Sequence, residues 1–379
     1  MWSRRRRAFP LAVLLSALIA CLVTIAPTLA ADAETRRVSI SSEETQANRR
    51  SAYSAISADG RYVAFLSKAS DLVANDTNGD WDVFVRDRQR GTTRRVSLTS
   101  AGGEAAGSST SPSVSADGRY VAFQSYASDL VANDTNDAHD VFVRDRQART
   151  TERVSISSAE VQGNGGSAAP SISAGGRYVA FGSIASDLVT NDTNNTDDVF
   201  VRDRHAGTTE RVSISSAERQ ATGYSYSGSI SADGRFVAFD STADDLVAAD
   251  INRQRDIFLR DRQQGTTSRV SVTSTEDEAE NHSFSPSISA DGRYVAFVSY
   301  ASDLVADDTD RIDVFLRDRQ LGTTSRLSLS SAGAQANGDS LHPSISSDGR
   351  YVAFASQASD LQANDTNRKM DIFVRGPLR

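Results

Sequence analysis

Ala58-Asp59-Gly60-Arg61-Tyr62-Val63-Ala64-Phe65 decides the architecture, because the chain writes variants of it six times. Its glycine returns as Gly118, Gly176, Gly234, Gly292 and Gly349, at intervals of 58 residues four times and then 57. A fixed period of this length means stacked copies of one supersecondary unit, none of which can bury its apolar face alone. No low-complexity tract or linker interrupts the array, so residues 31–379 read as one domain.

Each repeat carries four strand signals, a to d. Strand a is a short segment such as Pro112-Ser113-Val114-Ser115, and Asp117-Gly118 is a pair that favours a two-residue hairpin turn. Strand b, Arg119-Tyr120-Val121-Ala122-Phe123, has the unbroken apolar run of a strand covered on both faces. Strand c is Asp140-Val141-Phe142-Val143-Arg144, and a turn such as Arg88 to Thr93 leads into strand d. There Arg95-Val96-Ser97-Leu98-Thr99 alternates, as an outermost strand with one wet face should. Arg37 to Ser41 reads as a d strand and Asp371 to Arg375 as a c strand, which makes six of each type. The expectation is an all-β, six-bladed propeller of four-stranded antiparallel blades, with the N-terminal strand completing the last blade. A solenoid would carry atypical capping repeats, whereas a ring leaves only short protected edges.

Residues 1–30 read as a secretory signal: Arg4 to Arg7, an apolar run from Ala8 to Ala26, then Pro27 and the small-residue site Thr28-Leu29-Ala30-Ala31. Arg6-Arg7 also fits twin-arginine export, and Leu18-Ile19-Ala20-Cys21 resembles a lipobox that would anchor the chain through Cys21. Cys21 is the only cysteine, so the exported domain has no disulfide and is stabilised by its core. Setting aside the leader's four arginines, the basic residues, 41 less four, face 49 acidic ones. That excess of negative charge makes nucleic acid and anionic membranes poor partners. A monomer with no membrane span after signal removal is expected.

The core Ser-x-Asp-Gly-Arg-Tyr-x-Ala-Phe followed by Asp-x-Phe-x-Arg-Asp resembles the WD-repeat-like propeller repeat of the TolB type, over essentially the whole exported chain. The resemblance implies a propeller and, much less directly, a function. TolB carries an α/β domain before its propeller; here about six residues separate the expected cleavage site from the first strand, so that domain is expected to be absent. The repeat is also longer than the forty-odd residues usual for such blades.

The additional length is expected on one rim, where the b-to-c and d-to-a connections lie, and elaborated loops on a rigid scaffold are where binding usually sits. The b-to-c loop of the first repeat reads Ala69-Ser70-Asp71-Leu72-Val73-Ala74-Asn75-Asp76-Thr77-Asn78-Gly79-Asp80-Trp81-Asp82. Ser70 is a candidate N-cap for one helical turn with Leu72 beneath it. Alternating Asp and Asn oxygens suit calcium, and Asp76, Asn78, Asp80 and Asp82 give the fullest pattern. The sparser counterparts are Asp134, Asn136 and Asp140; Asp192, Asn194 and Asp198; Asp308, Asp310 and Asp313; and Asp365, Asn367 and Asp371. The alternative is that these side chains hydrogen-bond their own loops as Asx turns. Asp59-Gly60-Arg61 and Arg86-Asp87-Arg88 recur in nearly every blade and are read as turn formation and surface ion pairing.

Positions that break the repeat are the better specificity candidates. They are Lys68, Tyr126 and Tyr300 just after strand b, and Tyr53, Tyr224, Tyr226, His282, Phe284 and His342 in the d-to-a loops. Exposed aromatics around a propeller mouth can stack on sugar rings or anchor a peptide. The function expected is recognition of an envelope or extracellular protein, peptide or glycan without catalysis. The alternatives are a propeller enzyme of the lactonase, lyase or glycosidase type, or a ligand-free spacer. Against an enzyme, His139, His205, His282 and His342 occupy different repeat positions, and no Gly-x-Ser-x-Gly segment is present. No catalytic residue is assigned.

Overall fold

The apolar run of strand b is buried on both faces, and this sets it second in each sheet, between strands a and c. The computed structural model describes residues 36–309, 311–362 and 369–378. In blade 1, Ser51–Ile56, Tyr62–Ser67, Asp82–Asp87 and Thr92–Arg95 are strands a, b, c and d, hydrogen-bonded in that order and antiparallel throughout. Blades 2 to 5 repeat the arrangement, and Ser340–Ile345, Val352–Ser356 and Asp371–Arg375 are strands a, b and c of blade 6. The result is a six-bladed β-propeller, with Val38–Arg379 as one unit. In every blade a phenylalanine of strand b stacks on its cross-strand partner in strand c, as Phe65 does on Phe84 at 5.9 Å. Cross-strand aromatic pairs of this kind add to the burial that holds a sheet together.

Neighbouring blades meet through a joint built from the signature octapeptide. Gly118 has φ +70°, and a Cβ there would lie 2.0 Å from the Tyr62 ring of the preceding blade, so only glycine lets the ring approach. The same ring lies between the guanidiniums of Arg61 and Arg146, at 4.8 and 4.6 Å, an arrangement favoured by cation–π attraction. Beside it the Ala58 amide donates to the Ala116 carbonyl at 3.1 Å, and this link repeats from blade to blade as far as Ala290 and Ser347. Each joint therefore excludes water with one ring and one backbone bond.

A second device joins the outer edges. The start of every d-to-a connection folds into a small hairpin, closed by bridges such as Leu98 to Glu104, that leans on strand d of the next blade. Ser100 there accepts a bond from the Thr151 amide at 2.9 Å, and Thr151 Oγ1 donates to the Leu98 carbonyl. Part of the additional length expected on the binding rim thus acts as a strap between blades.

Several expectations are corrected in detail. Strand d begins earlier, Thr92–Arg95 in blade 1, because Asp87 pairs directly with Thr92. The Asp-Gly turn spans four residues, since the Ser115 amide bonds to the Tyr120 carbonyl and Gly118 to Ser115. Ser70 caps no helical turn; its hydroxyl accepts a bond from the Asn48 amide, although Leu72 is buried beneath as expected. The expected ion pairing is bidentate between Arg61 and Asp87, with the carboxylate buried and the guanidinium at the surface.

Ring closure by the N-terminal strand is not shown: strand d of blade 1, Thr92–Arg95, has its counterpart in residues 34–37, and residues 34 and 35 lie outside the described residues. Blade 6 has three strands among the described residues, its sheet ending at Asp371–Arg375. Ile372 and Val374 are 73 and 65% exposed there, whereas the corresponding residues of the other blades are buried. Residues 40–46 form a strap on blade 1 as the corresponding segments do between the other blades, with Thr93 Oγ1 donating to the Ile40 carbonyl. The sixth joint is open as well: Gly60 has no aromatic ring against it, and Tyr351 is stacked only on its neighbour Arg350.

Candidate functional site

The b-to-c loops are fixed by carboxylates, and the cation among those carboxylates is an arginine of strand d. In blade 1, Arg95 Nη1 lies 3.1 Å from Asp82 and 3.5 Å from Asp76, and also pairs with Glu104. Ser97 donates to the second oxygen of Asp82 at 2.5 Å. Arg153, Arg211 and Arg326 hold Asp134 with Asp140, Asp192 with Asp198, and Asp308 with Asp313 in the same way. In those three blades a glutamine bridges the two acids; Gln162, for instance, donates to Asp134 and Asp140, each at 2.8 Å. Burial pushes the Asp82, Asp140 and Asp198 carboxyls up, against the pull of their serine and arginine partners.

Blades 1 and 4 carry Glu104 and Glu278 in place of that glutamine. Three carboxylates then surround one guanidinium, in the groups Asp76, Asp82, Glu104 and Asp250, Asp256, Glu278. Burial first, with the neighbouring acids adding to it, pushes Asp76 up to about 6 and Asp250 to about 7. Of the calcium candidates, Asn78 instead accepts a bond from the Asp80 amide at 2.9 Å, an Asx turn, while Asp80 accepts the Ser108 hydroxyl at 3.0 Å. Asn136 and Asn194 make the same turns toward Ala138 and Thr196. In blade 1 the Arg95 guanidinium lies among these donors. Asp310, Asp365 and Asn367 lie outside the described residues.

The repeat-breaking residues fall into separate places on the rim. Tyr53 and His342 sit at the bulge of strand a with left-handed backbone, and line the axial channel, a cavity of about 400 Å³ to which every blade contributes. Lys68 lies over Trp81 at 5.6 Å, and Tyr126 packs against His139 at 5.1 Å. The remaining five meet on blades 4 and 5. Tyr224 stacks on Tyr226 at 6.0 Å with planes 7° apart; Tyr226 and Phe284 flank the Arg255 guanidinium at 5.2 and 5.7 Å; and Phe284 contacts Tyr300 at 5.7 Å. His282 Nδ1 accepts the Arg255 amide at 2.9 Å.

This row has a polar anchor that sequence reasoning missed. Arg255 forms an ion pair with Asp240, which is wholly buried in strand b. Burial, partly offset by Arg255, pushes Asp240 up to about 6. The signal was present, because the places of Asp240 and Arg255 hold Val298 and Ile312 in blade 5. The ladder ends are open: Tyr224 is 49% and Tyr300 44% exposed. What the arrangement offers is a rigid line of π surfaces with one immobilised guanidinium at its centre.

The chain is thus a six-bladed propeller whose symmetry is broken on one rim, at blades 4 and 5. No family model matches it, and no curated protein does. Among solved structures it is similar to TolB from Acinetobacter baumannii, at 17% identity and a TM-score of 0.45, covering 79% of this chain and 60% of that one. It is likewise similar to a putative TolB from Agrobacterium tumefaciens, at 16% identity and a TM-score of 0.48, covering 87% and 91%. Against the Pyrococcus horikoshii acylaminoacyl peptidase the identity is 12% and the TM-score 0.51, with 86% of this chain and 44% of the peptidase covered. The likeness to the peptidase, with a TM-score above 0.5, shows the propeller fold alone. No helix among the described residues is long and apolar enough to cross a membrane.

Proposed function

We propose that this is an exported binding propeller that recognises a protein, peptide or glycan of the cell envelope or its surroundings through the ladder on blades 4 and 5. The observation that carries this reading is the Asp240–Arg255 pair. A buried carboxylate in a strand that is otherwise apolar costs stability, yet here it fixes a guanidinium between Tyr226 and Phe284. Departures of this kind from the rules that favour folding are expected at functional sites. Exposed tyrosines with rigid rings supply contact area at low entropic cost, which suits stacking on sugars or anchoring of a peptide. The leader in residues 1–30 supports export.

The histidines favour binding over catalysis. His139 packs on Tyr126, His205 lies in a c-to-d turn, His282 accepts the Arg255 amide and His342 lines the channel, so no two form a pair. Calcium is not part of this reading, which rests on the ladder of blades 4 and 5. The test is retention of the exported domain on isolated cell-wall fractions and on glycan and peptide arrays. Binding that Tyr224→Ala with Tyr300→Ala removes supports the proposal; binding unchanged in that variant, or none at all, contradicts it.

A further inference from the structure

A cleft of about 700 Å³ lies where the outer edges of blades 1 and 2 meet below the Leu98–Glu104 strap. It is lined by arginine to a degree no other inter-blade position matches in sequence. Arg90, Arg94 and Arg149 stand where blades 2 and 3 together place Ala148, Glu152 and Gly207, and Gly102 stands where Glu160 would be. Relative to the next cleft this removes two carboxylates and adds three guanidiniums.

The lost acids had partners, and those partners remain. Glu160 pairs with Arg202, as Glu44, Glu218 and Glu276 pair with Arg86, Arg260 and Arg317 in their blades. Arg144, the blade 2 counterpart, bonds only to the Leu98 and Thr99 carbonyls and the Thr151 hydroxyl. Glu152 pairs with Arg204, whereas its counterpart Arg94 faces Arg146. None of Arg90, Arg94, Arg144, Arg146 and Arg149 has a carboxylate within ion-pairing distance among the described residues, although all line the cleft. The nearby acids are engaged elsewhere: Asp87 by Arg61 and Asp117 by Ser115 and the Arg119 amide. Arg149 also holds φ +62°, a left-handed conformation that glycine takes at this place in blades 1, 3, 4 and 5. Burial, followed by the neighbouring charge of Arg149, pulls the Arg144 guanidinium down.

From this crowding of unpaired guanidiniums we infer that the cleft between blades 1 and 2 binds a ligand carrying several tetrahedral oxoanion groups, phosphate or sulfate. Guanidinium forks match such oxygens with paired hydrogen bonds, and an anion would relieve repulsion that the protein leaves uncompensated. The volume holds more than a single ion. The local charge is opposite to the formal −8 of the whole chain, so attraction is confined to this cleft. The inference does not depend on the ladder.

The test is calorimetric titration of the exported domain with tripolyphosphate and with sucrose octasulfate at low and physiological salt. The expected result is binding of at least one, weakening as salt rises. Preference for the first identifies phosphate as the group recognised, and preference for the second identifies sulfate. The variant Arg94→Glu with Gly102→Glu restores the acids of blade 3's neighbouring cleft and should lower affinity at least tenfold. It should fold, because glutamate already occupies the second position with positive φ in Glu44, Glu160, Glu218 and Glu276. Absence of binding by both probes, or equal binding by a folded variant, overturns the proposal.

Discussion

Replacing Arg255 by isoleucine, alone and together with Asp240→Val, separates the cost of the buried pair from its use. The double variant installs the Val298 and Ile312 of blade 5, a combination this fold already packs. Alone, Arg255→Ile leaves Asp240 buried and without its counter-ion; breaking a buried pair in this way costs about 3–5 kcal/mol, and the lower end applies because the Arg255 side chain is 31% exposed. The double variant should be neutral or more stable than the parent by about 1–3 kcal/mol, since apolar replacement of a buried pair removes the desolvation cost. Asp240→Val alone leaves Arg255 able to reach water and both rings, and at pH 4, where Asp240 is protonated, should stay within about 1 kcal/mol of the parent. The sign with pH follows from Asp240. Its carboxyl is raised to about 6, so its contribution to stability is full below the unfolded value near 3.8 and is lost as pH rises through 6. Hence Asp240→Val should gain on the parent between pH 4 and pH 7. Urea denaturation of the four proteins at pH 5 and 7 measures all of this. If Arg255→Ile is as stable as the double variant at pH 7, Asp240 is not a buried charge and the reasoning fails.

Other consequences can be measured on the same domain. Gly118→Ala should cost more than about 3 kcal/mol, combining a clash with Tyr62 and left-handed strain, whereas Gly60→Ala, with nothing nearer than 3.6 Å, should cost about 1. Equal losses would show Tyr351 seated against Gly60 and the ring closed in solution. Glu278→Gln, which copies blades 2, 3 and 5, should raise stability by about 1 kcal/mol at pH 8 and by little at pH 5. The reason is that Asp250, raised to about 7, contributes stability at low pH that is lost as pH rises through 7; a gain independent of pH would contradict it. Melting temperatures in millimolar calcium and in chelator should agree within about 1 °C, and a larger shift abolished by Asp76→Ala with Asp80→Ala would show a cation displacing Arg95.

The fold was legible because one glycine, one aromatic and one apolar run recur at a constant interval, and each does a geometric job. Gly118, Tyr62 and strand b together make a joint, and the period counts the joints. Closure was not legible for the same reason. Residues 37–41 have the composition of a d strand, but in blades 1 to 5 strand d falls at the places of residues 34–37, and residues 40–46 match the strap that every d-to-a connection forms. The sequence offers calcium or Asx turns for the loop carboxylates and does not show their arginine partners, because Arg95 and its counterparts lie in strand d, distant in sequence from Asp76. Only the sheet brings them together. Of the ladder, Tyr224, Tyr226, His282, Phe284 and Tyr300 were visible as breaks in the repeat. Asp240 and Arg255 escaped because each is unremarkable alone, and their pairing across strands b and c gives them meaning.

The most direct test of the central claim is a comparison of two surfaces of one protein. The domain of residues 31–379, its Tyr224→Ala with Tyr300→Ala variant and its Arg94→Glu with Gly102→Glu variant are applied to the same cell-wall fractions and arrays, with folding checked by thermal melts. The account predicts that the first pair of substitutions removes retention on a glycan or peptide while the second leaves that retention intact. Retention of the tyrosine variant at parental level would contradict it.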